Sequence, residues 1–190
     1  MNDLEQYIKL YFGIKEDSMQ LVTQYFYEET IEKGKSILKP GQFCNKMSFV
    51  RDGFIRIFLE RNDRETTQWI SSKGYFITDL SSFMFDTRAQ WNMESLTSCQ
   101  LYSIDKKNYA KLIDQLPDWH EIEKKFIAGC FLTLENRVFN HLSLSAEERY
   151  NQFFNENKEM FNQVPLHYIA SMLGMTPETL SRIRKKQNLI

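Results

Sequence analysis

The sequence predicts an α+β protein. We expect an N-terminal antiparallel β-roll (a double-stranded β-helix) with flanking helices, a long helix, and a small all-α C-terminal domain with a helix-turn-helix and no wing. Three observations predict this order: short strand-like runs between residues 29 and 104, a long helical apolar stripe after residue 117, and two short amphipathic helices after residue 164. The predicted units are residues 1–116, 117–143 and 144–190.

Short runs of strand character dominate the first unit. Two short helices are predicted within residues 3–27, and six strand-like runs follow them. These runs are residues 30–31, 36–38, 47–50, 54–59, 66–70 and 100–104. Turn residues such as Pro40-Gly41 and Asp52-Gly53 separate the runs at regular intervals, which indicates an antiparallel roll. In the fourth run, Ile55, Ile57 and Leu59 are predicted on one face and Phe54, Arg56, Phe58 and Glu60 on the other.

Helical character returns after residue 104. Asp105 is the predicted N-cap of a helix to about residue 115, with an inward face made of Tyr109, Leu112 and Ile113. A second helix is predicted from Pro117 to about residue 142, and its apolar stripe comprises Ile122, Phe126, Ile127, Phe131, Leu134, Val138 and Leu142. It is roughly twice the mean length of a globular helix, so we expect it to contact more than one partner.

The last unit opens with a hinge and a capped helix. Leu144-Ser145 forms the predicted hinge, and Ser145 caps a helix to about residue 157, with Glu148 completing a capping box. Two shorter helices then flank Gly174, which suits a helix end with positive φ. The inward residues of the first are Leu166, Ile169, Ala170 and Leu173.

The second short helix begins with a recognisable start signal. Thr176 is the predicted N-cap and Pro177 the first helical residue. Leu180 and Ile183 face inward, and the opposite face carries Glu178, Ser181, Arg182 and Lys185. Such a polar edge is able to enter a DNA major groove, where arginine reads guanine and lysine holds phosphate. An ordinary helical hairpin with a solvated basic face is the alternative.

Charge distribution supports a small basic tip on a mildly acidic body. The net charge is −1 over 190 residues. Residues 165–190 carry four cations and one acid, a balance of +3, so the other residues carry −4. This distribution is more typical of a sequence-specific DNA-binding protein than of one that covers DNA without sequence preference. The N-terminus has no signal-peptide pattern and no apolar run spans a membrane, so we expect a cytoplasmic protein without membrane contact.

Two stretches resemble a known family. Residues 175–185 resemble the recognition helix of CRP/FNR-type bacterial transcription regulators, and residues 39–57 are similar to the opening strands of a cyclic-nucleotide-binding β-roll. The resemblance implies a homodimer that reads a palindromic operator in double-stranded DNA, with RNA polymerase as a further partner. It also implies that the long helix pairs with its copy, with Gly129 allowing close approach; the alternative is that this helix packs only on its own roll.

The resemblance assigns roles to the helix after Gly174. Pro177, Glu178 and Arg182 fall at the base-reading positions, where Glu178 accepts from cytosine and Arg182 binds guanine. Backbone and phosphate contacts fall to Thr176, Thr179, Ser181 and Lys185. Pro177 stands where the family often has arginine, so we expect a different target site.

The resemblance also places a ligand cassette, which departs from the family pattern. Its matching residues are Thr78, Asp79, Leu80, Ser81, Arg88 and Ala89. Asp79 falls at the ribose-binding acid and Arg88 at the phosphate arginine, but Thr78 replaces a glycine and Ala89 a hydroxyl residue. Arg88 is alternatively expected to pair with Asp79 or Asp86, and nearby aromatic side chains are expected to fill the pocket: Phe76, Phe83, Phe85 and Trp91. We therefore expect a small-molecule effector other than a cyclic nucleotide, or none.

Enzymatic and metal-dependent functions are not expected. The three histidines lie on predicted helices beyond the strands, and no nucleophile elbow or phosphate-binding glycine loop occurs. Three widely spaced cysteines form neither a disulfide framework nor an iron–sulfur ligand set. No catalytic, metal-binding or cofactor-binding residue is therefore predicted. The competing hypothesis is a ligand-sensing or protein-interaction module with a vestigial helix-turn-helix.

Overall fold

A computed structural model describes residues 2–187. Within them the chain forms nine α-helices and eight β-strands. The helices are α1 (Asp3–Phe12), α2 (Glu16–Thr23), α3 (Leu80–Phe85), α4 (Lys106–Gln115), α5 (Trp119–Ser143), α6 (Ala146–Glu156), α7 (Met160–Gln163), α8 (Leu166–Met172) and α9 (Pro177–Gln187). The strands are β1 (Tyr27–Ile31), β2 (Ser36–Leu38), β3 (Lys46–Asp52), β4 (Ile55–Arg61), β5 (Arg64–Ser71), β6 (Phe76–Ile77), β7 (Asn92–Ser95) and β8 (Cys99–Asp105). The predicted absence of a wing concerns chain beyond α9, where residues 188–190 lie outside the described residues.

The strands form two antiparallel four-stranded sheets, in the orders β1-β8-β3-β6 and β2-β7-β4-β5. This jelly-roll-like arrangement confirms the predicted α+β fold. Five of the six predicted runs lie within a strand, and the run 54–59 begins one residue before β4. β6 and β7 were missed because they contain only two and four residues. The β4–β5 hairpin turns at Asn62 and Asp63, whose φ angles of 53° and 56° suit the mirror-image turn that matches strand twist.

Strand β4 departs from simple alternation of buried and exposed residues. Its residues from Ile55 to Phe58 are all buried, and a bulge lies between Ile57 and Phe58. The inward residues join the core between the two sheets, whereas the outer surface is covered by the C-terminal helices. Arg56 therefore lies on a buried outer face, with 1% of its surface exposed.

The long helix α5 has two different halves. Its first half packs on the roll and on α1, where Trp119 and Phe126 contact Phe12 with ring-centroid distances of 5.6 Å and 4.7 Å. Its second half exposes a row of large apolar side chains, which are Phe131, Leu132, Leu134, Val138, Phe139 and Leu142. The helix starts at Trp119, two residues after the predicted Pro117. In the described chain, no helix is apolar enough over sufficient length to cross a bilayer.

One detail of the helix predictions is corrected, and a second stays a prediction. Ile113 was predicted inward but is 39% exposed, because α4 packs through Tyr109 and Leu112 alone. Gly129 was predicted at the interface between paired helices. An α-helix turns about 100° per residue, so Gly129 lies about 140–180° around α5 from Leu134 and Val138, but about 60–80° from Leu132 and Phe139. No atom lies within 4 Å of where its Cβ would be.

The C-terminal helices share a second core with the outer face of the roll. Phe54, Ile70 and Leu96 from the strands and loops pack with the buried residues of α6 to α9. Ser145 caps α6 as predicted, in a reciprocal capping box with Glu148. The C-terminal helices are therefore fixed to the roll by apolar contact.

Candidate nucleic-acid interface and sensor cavity

Helices α8 and α9 are joined by a tight turn at Gly174. Gly174 has φ 66°, and a Cβ there would lie 3.3 Å from the ring of His141 in α5. The backbone N–H of Thr179 donates to Thr176 Oγ1 (3.2 Å), so Thr176 caps α9. Leu180 and Ile183 are buried, as predicted, and their packing fixes the rotation of α9 about its own axis.

The outward face of α9 is polar and basic. Pro177, Glu178, Ser181, Arg182 and Lys185 are exposed, as is Thr176, whereas Thr179 is half-buried. The first turn carries the acid: hydrogen bonds from its own backbone N–H and from the Thr176 hydroxyl hold the pKa of Glu178 below its usual value. The structure thus brings the seven predicted DNA-contact residues onto one helix and its cap.

The four cations of the basic tip divide into two pairs. Lys186 Nζ lies 3.1 Å from a carboxylate oxygen of Glu147 in α6. Arg184 interacts with the hydroxyl of Tyr150, where it opposes the burial that raises the pKa of Tyr150. In the described part of the chain, no ion pair involves Arg182 or Lys185. These two side chains are therefore available to a ligand outside the protein.

A buried arginine joins the roll to α8. The guanidinium of Arg56 lies between the rings of Phe58 and Tyr168, at 4.0 Å and 3.7 Å from their centroids. It also donates to carboxylate oxygens of Glu65 (2.7 Å) and Glu94 (3.3 Å), which compensate its charge. The alternation of residues in β4 gave one signal for this contact, because it placed Arg56 on the same face as Phe54 and Phe58.

The free edge of β5 is covered by the same region. The backbone N–H of Thr67 donates to Ser171 Oγ of α8 (2.9 Å), and the carbonyl of Gln68 accepts from Arg137 of α5. Exposed edge groups would otherwise remain available for pairing with other strands. The strand edge therefore also positions α8.

The cassette after β6 is organised by the carboxylate of Asp79. Asp79 is 2% exposed and caps α3 by accepting from the backbone N–H of Ser82 (3.1 Å). It also accepts from the N–H groups of Gln90 and Trp91 and from the Ser81 hydroxyl. Burial raises the pKa of Asp79, but these hydrogen bonds outweigh burial and hold the pKa below its ordinary value. A fixed negative charge thus occupies the start of α3.

Arg88 is directed away from both acids that it was expected to pair with. Its Nη1 donates to the carbonyl of Gly41 (2.7 Å), and its guanidinium lies over the ring of Phe43 at 4.9 Å. Asp86 pairs instead with Lys106 (2.6 Å). The alternative prediction of an Arg88–Asp pair is therefore wrong.

A cavity of about 190 Å³ lies beside the cassette, between β2, β3 and β7. Thr78 is the one predicted cassette residue in its lining; Asp79, Leu80, Ser81, Arg88 and Ala89 are not part of the lining. The aromatic residues Phe76, Phe83, Phe85 and Trp91 do not line it either. Phe83 packs on Tyr109 and Phe76 on Phe126, because α4 and α5 cover that side of the roll. The spacing of these residues in the sequence therefore did not predict their contacts in the fold.

Comparison with known proteins agrees with this geometry. Residues 28–116 match the cyclic nucleotide-binding domain family. The matched domain comprises all eight strands except the first residue of β1, together with α3 and α4. A comparison with curated protein sequences gave no significant match.

Solved structures of bacterial regulators share the fold over most of the chain. The c-di-GMP responsive global regulator CLP of Xanthomonas campestris is 15% identical with a TM-score of 0.68, and the match covers 92% of each chain. The catabolite activator protein of Thermus thermophilus is 20% identical, with a TM-score of 0.59 over 93% of this chain and 85% of its own. A CooA variant from Carboxydothermus hydrogenoformans is 19% identical, with a TM-score of 0.63 over 95% and 83%. CRP-family regulators are thus among the structural neighbours of the chain, beyond the matched domain.

Replacing Asp79 by asparagine should destabilise the matched domain. The amide loses two lone-pair acceptor sites and the charge, so we expect the free energy of unfolding to fall by about 1–3 kcal/mol at pH 7. Because the folded pKa lies below the unfolded value, the stabilisation is present above the unfolded pKa and is lost as the pH falls through the folded one. Urea unfolding at a series of pH values between about 7 and 3 should therefore show the difference shrinking with acidity. Asp86→Asn, at an exposed position, is the control; equal effects of the two changes at pH 7 would contradict this role.

Proposed function

We propose that this chain is a DNA-binding transcription regulator that acts as a homodimer and responds to an effector other than a cyclic nucleotide, or to none. The observation that carries the proposal is the outward face of α9. There Arg182 and Lys185 are exposed and make no ion pair among the described residues, while buried Leu180 and Ile183 fix the helix beneath them. A rigid helix with an uncompensated cationic edge is what a major groove accepts.

The side chains of α9 supply distinct contacts. Arg182 has the planar donor pair that binds the O6 and N7 atoms of guanine, and the ionised Glu178 accepts from the amino group of cytosine. Lys185, Ser181, Thr179 and Thr176 hold phosphate oxygens, which fix the register but carry no sequence information. Pro177 offers no side-chain donor, so one base position is read by shape or remains unread.

The exposed stripe of α5 supports the homodimer. Phe131, Leu134 and Val138 have the alternating 3- and 4-residue spacing of a two-helix seam, and Leu142 lies about one turn beyond Val138. All four are at least half exposed in the single chain. An apolar row of this length on a soluble helix marks an interface. A second copy with the same row covers it by two-fold symmetry, and such a dimer presents two α9 helices to a palindromic site.

The matched domain is an unfavourable site for a cyclic phosphate. Backbone N–H groups at the start of α3 and at Gln90 and Trp91 already bind the Asp79 carboxylate. A phosphate brought there meets a fixed negative charge, and Arg88 is engaged with Gly41 and Phe43. These contacts support an effector of different chemistry, or effector-independent DNA binding.

Lys185→Ala tests the phosphate contact. We expect it to weaken binding to all duplexes alike and to reduce the slope of log affinity against log salt by about 1 per protomer, since one released counterion is lost. Fluorescence anisotropy of labelled duplexes between about 50 and 200 mM salt measures both quantities. Lys158→Ala, an exposed lysine outside α9, is the control. If wild type and Lys185→Ala show the same slope, α9 does not contact the backbone, and a module with a vestigial helix-turn-helix becomes the better description.

A further inference from the structure

A cavity of about 310 Å³ lies where α5, α6, α8 and the edge strand β5 meet, apart from the matched domain's cassette. Its walls are largely apolar, with Trp69, Phe153, Met172 and Leu173 among the lining residues. Two arginines, Arg137 of α5 and Arg149 of α6, also line it. A mostly apolar cavity of this size with a few convergent polar groups is typical of a small-molecule site.

Among residues 2–187, the two guanidinium groups donate only to carbonyl oxygens. Arg149 Nε donates to the carbonyl of Leu173 (3.0 Å) and its Nη1 to that of Leu144 (2.6 Å). Arg137 Nη2 donates to the carbonyls of Gln68 and, at 3.5 Å, Met172. The bonds to Leu144, Met172 and Leu173 cap the C-terminal ends of α5 and α8, where partial negative charge accumulates. A guanidinium carries five N–H donors, so each arginine retains N–H groups for another acceptor.

Neither charge is neutralised by a carboxylate. In the described part of the chain, no ion pair involves Arg137 or Arg149, and the acid in the lining, Glu156, is exposed. Arginines that lose solvent are normally paired with an anion. Arg137 lies over the ring of Trp69, 4.8 Å from its centroid, and burial lowers its pKa from the ordinary value. The cavity therefore contains two guanidinium groups without a carboxylate partner among the described residues, beside the aromatic ring of Trp69.

We propose that this cavity binds a small organic anion, with an acidic head group on Arg137 and Arg149 and an aromatic or aliphatic body against Trp69 and Phe153. The bound anion contacts α5, the edge of β5 and the C-terminal end of α8. Because α8 is followed directly by α9, its binding makes the position of α9 relative to the β-roll more rigid. The site does not depend on the proposed DNA binding, and its test needs no DNA.

Two matched dyes test the proposal on the full chain. 1-Anilinonaphthalene-8-sulfonate has an aromatic body and a sulfonate, and N-phenyl-1-naphthylamine has the same body without the charge. We expect saturable fluorescence enhancement with the sulfonate dye at one site per chain, and binding at least about tenfold weaker with the neutral dye, the difference one charge-assisted contact makes. Arg149→Gln should remove this preference and leave the neutral dye's affinity unchanged.

A variant that blocks the cavity shows whether a loss of dye binding comes from the cavity itself or from loss of the fold. Asn136→Trp, at an exposed position in the lining, should fill the cavity and abolish binding of the sulfonate dye without altering either arginine. Asn162→Trp, exposed on α7 outside the lining, is the matched control and should bind as wild type. Equal affinity for the two dyes, or equal binding by the two tryptophan variants, would overturn the proposal. Equal binding by the two variants would assign the dye to another surface, such as the exposed stripe of α5.

Discussion

Replacing Arg182 by alanine should abolish the sequence preference of the protein while leaving its fold intact. Arg182 is exposed on α9 and has no ion pair among the described residues, so its loss removes no internal contact that we observe. A bidentate arginine–guanine contact is worth about 1–3 kcal/mol of discrimination, which is roughly a 5- to 150-fold change in relative affinity at that base pair. In a dimer the change occurs in both half-sites. Competition binding between a selected duplex and its guanine-substituted versions measures the loss.

The Lys185→Ala variant is the internal control for this result. Lys185 lies on the same helix and carries the same charge, but it is assigned to phosphate, so its loss should lower affinity for every sequence by a similar factor. If Arg182→Ala also weakens all sequences equally, Arg182 contacts only the backbone. If neither variant differs from wild type, the assignment of α9 to DNA fails.

Leu134→Asp should convert the proposed dimer into monomers. Leu134 belongs to the exposed stripe of α5, and a two-fold pairing through this stripe brings both copies of the substitution into an apolar seam. Burying two unpaired carboxylates costs several kcal/mol, enough to shift a dimer of ordinary affinity to monomer at micromolar concentration. Light scattering after size exclusion measures the mass, and DNA affinity should fall with it.

Gly129→Glu provides the matched control for the dimer. Gly129 is exposed on the opposite side of the same helix, with no neighbouring atom within 4 Å of its Cβ position, so glutamate is accommodated there. This variant should remain dimeric, with a small loss of affinity at most. Monomers from Gly129→Glu combined with dimers from Leu134→Asp would place the interface on the other face of α5.

Local signals account for what could be predicted from the sequence. The Thr176-Pro177 cap, Gly174 and the capping box of Ser145 and Glu148 each depend on a few neighbouring residues, and all of them occur as expected. The ends of the strand-like runs were likewise predicted from the turn residues between them, such as Pro40-Gly41 and Asp52-Gly53. The helix period of α5 likewise predicted its apolar stripe, whose members Phe131, Leu134, Val138 and Leu142 are exposed.

Contacts between distant segments explain what could not be predicted. Arg56 is buried because α8 covers the outer face of β4, and nothing near residue 56 in the chain specifies that cover. Asp79 matches a ligand-binding position by spacing, yet in the fold its carboxylate closes the cassette through Gln90 and Trp91. Arg137 and Arg149 belong to separate helices, and only the packed structure brings them to one cavity.

Selection of bound sequences from a random duplex library tests the central claim most directly. The full chain, confirmed as a dimer, is used at near-physiological salt, without ligand and again with a small-molecule extract of cells. We expect recovery of a palindrome whose half-sites lie about one helical turn apart, with a guanine that Arg182→Ala no longer selects. Recovery of no enriched sequence under either condition, from folded dimeric protein, would contradict the proposed function.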